Sequence, residues 1–266
     1  MELLKEDFDK IQKQIISFYG INLSRKYELV KNRLTTFAID EKYNNLHEFI
    51  EEINKNPFLY KELVNRLTTN YTYFFREREH FEILKKVIIP KLIMGNPNNL
   101  KIKIWSAGCS KGNEAYSIAI ALEEILGLKM NYSIYGTDIS TNVLNFANKG
   151  LYTKEDLKKV ENNRIEKYFK KVEEDKFQVI DNLMKKVYFS ELNLMLPFNP
   201  FFNNFNVIFC RNVMIYFPLD IKLKLINKFY NALQPGGYLI IGKSEILPGI
   251  KNKFKLVQQS VYRKEL

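Results

Sequence analysis

The stretch KIKIWSAGCSKGNEAYSIAIAL, residues 101–122, decides the fold of this chain. It begins with IKIWSA, an apolar run typical of a buried strand, and ends with the apolar spacing of a helix. The loop between them contains Gly108 and Gly112. A strand, a glycine loop and a helix in this order open many nucleotide-binding α/β units. The glycines lack the G-x-G-x-x-G spacing of a dinucleotide site, and no Gly-Lys-Ser/Thr of a P-loop follows.

The chain after residue 101 continues with alternating strand and helix patterns. The predicted strands are YSIYGTD, FNVIFC, YLIIGK and the terminal hairpin KFKLVQQSVYRKE. The first helix ends at Gly127, and the second, STNVLNFANKG, has Ser140 as its N-cap and Gly150 at its end. A third helix, LDIKLKLINKFYNALQPGG, is ended by Pro-Gly-Gly at 235–237. This alternation predicts an α/β fold with a mostly parallel sheet covered by helices on both faces.

The remaining segments predict two further units. Residues 1–90 show helical spacing of apolar residues throughout, with breaks at Gly20 and at Asn56-Pro57. The stretch MGNPNNL, residues 94–100, is the best candidate for a domain boundary. We therefore predict an all-helical N-terminal domain over 1–90 and a catalytic domain over 91–266. Residues 151–190 mix charged helix with short alternating runs, which predicts an inserted subdomain.

Composition excludes several classes of protein. The 266 residues are 46% apolar, enough for a globular core, yet no apolar run is long enough to span a bilayer. The N-terminus lacks the pattern of a signal peptide, and the two cysteines, Cys109 and Cys210, lie in apolar surroundings. We expect a cytoplasmic, monomeric protein with reduced thiols. Two isolated histidines, His47 and His80, form no metal-binding pattern, so we expect no metal.

The net charge of +11 has one local concentration, in the stretch SRKYELVKNRL. Its four basic residues are accompanied by a single acid, Glu28, and on a helix they occupy a broad face. Such a face docks on an acidic surface or is an ordinary solvated face, and composition leaves both interpretations open. The basic residues of this cluster are Arg25, Lys26, Lys31 and Arg33.

Three predicted strand ends carry polar residues, and carboxyl ends of parallel strands meet at one edge of a sheet. These ends are the glycine loop, Asp138 in YGTDIS, and Arg211-Asn212 in FCRN. Taken singly, Asp138 is explained as a helix cap and Arg211 as half of an ion pair. Taken together, they predict a site for an adenosine ligand without a pyrophosphate, and S-adenosylmethionine is such a ligand.

These residues also carry a family resemblance. The chain resembles the CheR family of chemotaxis-receptor glutamate methyltransferases over essentially its whole length. The resemblance implies a Rossmann-like S-adenosylmethionine-dependent methyltransferase fold, with a mostly parallel seven-stranded sheet, a helical N-terminal domain and a small inserted β-subdomain. It also implies methyl transfer to glutamate side chains of chemoreceptor cytoplasmic helices, which gives glutamyl methyl esters and S-adenosylhomocysteine. The matching segments are LTTNYTYFFRE, WSAGCSKGNEAYSIAI, YGTDIS, NVIFCRNVMIYF and LQPGGYLIIGKSE.

The resemblance assigns roles to matched positions. Arg76 and Tyr216 match the pair nearest the transferred methyl group. Three residues depart from the usual family sequence: Asn113 replaces Glu, Ala115 replaces Pro, and Lys243 replaces His. The matched cofactor-binding positions are Asn70, Thr72, Arg76, Gly108, Glu114, Asp138, Asn193, Leu194, Arg211 and Asn212.

Two alternatives remain open beside a receptor methyltransferase. One is a methyltransferase for nucleic acid or a small molecule, supported only by the charge; we expect no nucleic-acid partner. The other is a non-catalytic adaptor that binds receptors. Some family members also bind a receptor C-terminal pentapeptide at the edge of the subdomain, through a hairpin with a glycine-containing loop. The corresponding stretch FKKVEEDKFQVID has no glycine and an acidic turn, so we expect no such tether.

Overall fold

The computed structural model describes residues 1–68, 70–95, 101–126, 131–247 and 254–265. Four helices form the N-terminal unit around a core that runs from Leu3 to Leu67. Asn56 separates the last two, because its side chain accepts the N–H of Phe58 and thereby caps the helix that starts at Pro57. The four helices are α1 Lys5–Tyr19, α2 Tyr27–Asp40, α3 Leu46–Lys55 and α4 Pro57–Leu67.

Within the described residues the main sheet has seven strands in the order β6-β2-β1-β7-β8-β10-β9, and it confirms the predicted fold class. The five strands from β6 to β8 are parallel, while β10 pairs antiparallel with β8 and β9. These strands are β1 Ile102–Ala107, β2 Tyr132–Asp138, β6 Val187–Glu191, β7 Phe205–Cys210, β8 Leu233–Ile241, β9 Phe254–Gln258 and β10 Val261–Lys264.

Alternate residues of a strand point to opposite faces of the sheet. Both faces of this sheet are apolar, and helices cover both. In β1, Ile104 joins one core and the neighbouring Trp105 joins the other. Gly150, with a φ of 59°, ends α8 as predicted, whereas Gly127 lies outside the described residues. The helices that follow β1, β2, the subdomain and β7 are α7 Asn113–Leu126, α8 Thr141–Lys149, α11 Asp181–Met184 and α12 Leu219–Ala232.

The apolar side chains of the segment before β1 belong to a core of the sheet and not to the core of the N-terminal helices. This segment comprises α5 Arg78–Ile83, a π-helical turn Leu84–Ile88 and α6 Ile89–Gly95. Its apolar side chains, together with Phe74 and Phe75, belong to the core on one face of the sheet. We therefore propose that the two units divide between residues 68 and 73, earlier than residue 90. In MGNPNNL, residues 96–100 lie outside the described part of the chain.

The inserted subdomain is a three-stranded antiparallel sheet in the order β3-β5-β4. It is smaller than the predicted 151–190, because β6 pairs in parallel with β2 and so belongs to the main sheet. The short alternating pattern of β6 fits a half-buried strand in either sheet, so periodicity alone does not distinguish the two. The elements of the subdomain are β3 Leu151–Thr153, α9 Lys154–Leu157, α10 Asn162–Tyr168, β4 Phe169–Glu173 and β5 Lys176–Val179.

The Pro-Gly-Gly triplet is also placed differently from the prediction. Helix α12 ends at Ala232, and residues 235–237 lie inside β8, where the pairing with β7 shifts register. An added Cβ on Gly237 would lie 2.9 Å from the carbonyl oxygen of Gln234, so this bend requires a glycine. Within the described residues, no helix combines the length and the apolar character needed to cross a membrane.

Candidate active site

A pocket lies where the carboxyl ends of β1, β2 and β7 face the N-terminal helical unit. The structure brings every residue of the predicted cofactor and catalytic sets to its wall. It also adds residues from before α2 and from the segment after β6, among them Lys26 and Leu192. Each predicted position is thus in contact with one cavity: Asn70, Thr72, Arg76, Gly108, Glu114, Asp138, Asn193, Leu194, Arg211, Asn212 and Tyr216.

The glycine loop after β1 bends sharply at the floor of the pocket. Gly108 has a φ of 79°, and a side chain there would collide with that of Val213. The N–H groups of Gly108 and Cys109 both donate to the carbonyl of Thr137, at 2.7 and 2.9 Å. Gly112 has a different role, since an added Cβ would lie 2.9 Å from the Cβ of Ala147. Gly108 therefore shapes the pocket, whereas Gly112 permits close packing of α8.

The sequence leaves open whether Asp138, at the end of β2, caps the following turn or binds a ligand, and its contacts are compatible with both roles. Its carboxylate accepts the N–H of Ser110 at 2.8 Å and the N–H of Ser140 at 3.0 Å. The residue is 9% exposed, and the exposed part lines the pocket. Burial raises the pKa of this carboxyl, while the backbone hydrogen bonds act in the opposite direction. Asp138 thus caps the turn and still offers oxygen lone pairs to a ligand hydroxyl.

Arg211 and Glu114 form a buried ion pair beside this carboxylate. Their Nη1 and Oε2 atoms are 3.3 Å apart, and Ser106 donates its hydroxyl to Glu114 Oε1 at 2.6 Å. Burial raises the pKa of Glu114, and the charge of Arg211 opposes that shift. Within the described residues the Nε atom of Arg211 has no hydrogen-bond partner. A buried unpartnered N–H at a pocket wall is a donor available to a polar ligand.

Residues 70–77, which we call the strap, cross the pocket between the helical unit and the sheet. The N–H of Phe75 donates to the hydroxyl of Ser117 at 2.9 Å. The guanidinium of Arg76 donates to the carbonyl of Tyr71 at 3.1 Å and lies near the rings of Tyr71 and Tyr73. Phe75 and Glu77 both have a φ of 55°, a left-handed conformation that costs free energy outside glycine. Such strain is typical of segments held in place for function.

The helical unit completes the opposite wall. Asn193 donates its amide to the carbonyl of Phe18 at 2.7 Å, and its side-chain oxygen accepts the N–H of Met195. The Asn193 amide therefore joins the two units, while Leu194, 8% exposed, provides apolar surface to the pocket. The ammonium of Lys26 lies 4.4 Å from the centre of the Tyr216 ring.

The prediction of one basic helix face is wrong. Helix α2 begins at Tyr27, so Arg25 and Lys26 precede it, and Lys26 lines the pocket. Arg33 donates to the carbonyls of Arg66 and Thr68 at 2.6 and 2.9 Å. Partial burial lowers the pKa of both Lys26 and Arg33. Arg25 is exposed and Lys31 half-buried, and these two remain available to a partner.

Two carboxylates near the pocket are absent from the predicted set. Glu245 accepts the N–H groups of Asn212, Gly242 and Ile215 at 2.8, 2.7 and 3.1 Å, which fixes the turn that carries Tyr216. Glu77 contacts Arg211 from the end of the strap. Both lie in segments that carry the family resemblance, and that position is the only signal that the sequence contains.

Comparison with known proteins agrees with this geometry. The sequence model of the family described as CheR methyltransferase, SAM binding domain, matches residues 70–263. The chain belongs to the CheR methyltransferases. A chemotaxis protein methyltransferase of Borreliella burgdorferi is 39% identical, over 99% of this chain and 96% of that protein. Relatives named as chemotaxis protein methyltransferases from Pseudomonas putida and Pseudomonas aeruginosa are 33% and 32% identical, over 96% and 99% of this chain and 95% and 99% of theirs.

This CheR methyltransferase is an S-adenosylmethionine-dependent methyltransferase of chemotaxis. A solved methyltransferase of Methanosarcina mazei overlaps 56% of this chain and 55% of its own, at a TM-score of 0.32 and 16% identity, which adds no functional argument.

The pocket fits the cofactor of a CheR methyltransferase by its donor set. Asp138 offers a carboxylate to ribose hydroxyls, and Leu194 offers apolar surface to a base. Glu114 and the unpartnered Nε of Arg211 offer opposite charges to an amino-acid group. The described residues contain no cluster of three or more His, Cys, Asp or Glu side chains able to hold a metal ion.

Proposed function

We propose that this CheR methyltransferase esterifies glutamate side chains on the cytoplasmic helices of a chemoreceptor. When bound, S-adenosylmethionine supplies an electrophilic methyl group. An acceptor carboxylate is already ionised at neutral pH, so its methylation requires no general base. An acceptor on cytoplasmic helices also requires that the enzyme works in the cytoplasm.

The observation that carries the proposal is the set of charged groups at the pocket wall. Arg76, Lys26 and Arg211 line it, whereas none of its described wall residues is a histidine. The thiol of Cys109 is buried, which raises its pKa and keeps it protonated. A wall that offers three cations and no imidazole suits a nucleophile that arrives as an anion.

Within this scheme we assign four roles. Asp138 holds the ribose and Glu114 with Arg211 holds the amino-acid group, as matched family positions. Arg76 and Tyr216 stand at the acceptor end of the pocket and orient the carboxylate for in-line attack. A cation beside the carboxylate also lowers its nucleophilicity, so the main contribution of Arg76 is to cofactor binding. The helical unit and the strap exclude water, which leaves the carboxylate less solvated.

Arg25 and Lys31 are the basic residues left to contact an acidic receptor surface. Both lie on the helical unit, Arg25 exposed and Lys31 half-buried. The contribution of these two charges lies in steering and orientation, and it decreases as salt increases. We propose that they guide the receptor helix towards the opening beside Lys26.

The test is methyl incorporation into a panel of chemoreceptor cytoplasmic fragments with labelled S-adenosylmethionine. The expected label is base-labile and disappears from fragments whose glutamates are replaced by alanine. Label in added nucleic acid or a base-stable product would instead favour a different methyltransferase. A protein that binds no S-adenosylmethionine in calorimetry would be an adaptor.

A further inference from the structure

Glu77 ends the strap without lining the pocket, and its side chain is 16% exposed. Its φ of 55° is unfavourable for a glutamate, so the surrounding contacts must hold it there. No role in binding or catalysis follows from its position alone, because the carboxylate faces the protein and not the cavity.

The contacts of this carboxylate join the strap to the ends of two sheet strands. Oε2 lies 3.5 Å from Nη2 of Arg211 and accepts the N–H of Lys243 at 3.2 Å. Oε1 accepts the side-chain amide of Asn212 at 3.5 Å. Arg211 and Asn212 follow β7, and Lys243 follows β8. Groups from the ends of two strands thus converge on Glu77, whose Oε2 also lies 3.3 Å from Nδ1 of His80.

Arg211 also contacts the backbone of the strap directly. Its guanidinium is 2% exposed, lies between Glu77 and Glu114, and donates from Nη2 to the carbonyl of Arg76. A buried cation with one carboxylate on each side is held in place by both. Without the charge on Glu77, Arg211 is attracted only towards Glu114, away from the strap. The Arg76 carbonyl then loses the donor that fixes it.

We propose that Glu77 is a positioning residue, which closes the strap over the bound nucleoside by holding Arg211 against the backbone of Arg76. This inference rests on the proposed function for its meaning in catalysis. The expected effect on cofactor binding is independent of the proposed function, because the strap residues Asn70, Thr72 and Arg76 line the nucleoside pocket whatever the acceptor is. Opening of the strap therefore exposes the ligand.

The experiment compares Glu77→Gln with Glu79→Gln. Glu79 is a matched control, because it is two residues away, pairs with Lys243 at 2.9 Å and is 60% exposed. Affinity for S-adenosylhomocysteine is measured by calorimetry, amide hydrogen exchange of the strap by mass spectrometry, and unfolding by thermal denaturation. Glu77→Gln should weaken binding at least tenfold and speed exchange in the strap more than elsewhere, while the protein remains folded at the temperature of the assay. Glu79→Gln should bind within twofold of the wild type.

Binding within twofold for Glu77→Gln, or faster exchange spread evenly over the chain, overturns the proposal. If Glu77→Gln does not fold, Glu77→Asp takes its place, because it keeps the charge but withdraws it from Arg211; the same outcomes apply. Binding of S-adenosylhomocysteine needs no acceptor. If the wild-type protein methylates no receptor fragment while the Glu77 variant still loses affinity, the proposed function fails and this inference stands.

Discussion

The ammonium of Lys26 lies 4.4 Å from the centre of the Tyr216 ring, so a residue of the helical unit contacts an aromatic side chain of the pocket wall. The two backbones also meet here, because Asn22 donates its N–H to the carbonyl of Tyr216 at 2.8 Å. The helical unit and the catalytic domain therefore touch each other at the wall of the pocket.

The neighbours Arg25 and Lys26 should contribute to different kinetic steps. Arg25 is exposed, so Arg25→Glu should raise the KM for a receptor fragment and flatten its salt dependence without changing kcat. Lys26 lines the pocket, so Lys26→Met should lower kcat by about tenfold, which corresponds to roughly 1.4 kcal/mol. Steady-state methylation at several salt concentrations separates the two. If Lys26→Met changes only KM, Lys26 acts in docking alone.

Asp138→Ala should weaken the binding of S-adenosylhomocysteine at least tenfold. Hydrogen bonds to a charged group contribute about 1.5–3 kcal/mol each, and one lost bond already gives this factor. The variant also leaves the N–H groups of Ser110 and Ser140 without their acceptor, so the free energy of unfolding should fall by about 1–3 kcal/mol. Calorimetry and urea denaturation measure the two effects. Unchanged affinity in a folded variant would restrict Asp138 to capping.

The pH dependence of stability should depend on His80. Burial, and then the charge of Arg211, lowers its pKa from 6.5 to about 4. Between pH 6.5 and about pH 4, His80 is therefore protonated in the unfolded chain but mostly neutral in the folded protein. The resulting stabilisation is complete above pH 6.5 and is lost as the pH falls to about 4, by roughly 3 kcal/mol for a shift of this size. His80→Gln should reduce the change in unfolding free energy between pH 7 and pH 4.5.

His47 provides a control of opposite sign. A hydrogen bond to Asp7 raises its pKa, so its stabilisation is present below pH 6.5 and is lost as the pH rises. His47→Gln should therefore enlarge the acid-side decrease in stability, whereas His80→Gln should reduce it. Equal pH profiles for His80→Gln and the wild type would show that the pKa of His80 is the same in the folded and unfolded protein.

The subdomain should not bind a receptor C-terminal pentapeptide. The turn between β4 and β5 consists of two acidic residues, Glu174 and Asp175, and it repels the carboxylate of a peptide terminus. Titration of the pentapeptide against the purified protein should give no saturable signal. Micromolar binding that is lost when Val179 in β5 is changed would contradict this prediction.

The parts of the fold with local signals could be predicted from the sequence. Buried parallel strands such as β1 and β7 are continuous apolar runs, and Gly108 and Asp138 stand at the strand ends where ligands bind. The placement of β6 was not predictable in this way. A short alternating strand carries no information on whether its partner is β2 or the nearby hairpin.

The parts of the site that depend on contacts between residues far apart in the chain could not be predicted from the sequence. Glu77 and Arg211 are far apart in the chain, and no local pattern marks a glutamate as the partner of a buried arginine. The prediction of a basic helix face was wrong for another reason. A helical pattern assigns a face but does not locate the first turn, so Arg25 and Lys26 were placed on a helix that begins at Tyr27.

The division of the pocket wall between two units has a thermodynamic consequence. Lys26 belongs to the helical unit and Asp138 to the sheet, so only the docked arrangement offers a complete binding surface. A nucleoside that prefers this arrangement opposes separation of the units by RT ln(1 + [L]/Kd). Methyl donor at concentrations above its Kd should therefore keep the two units together and slow proteolysis of the chain.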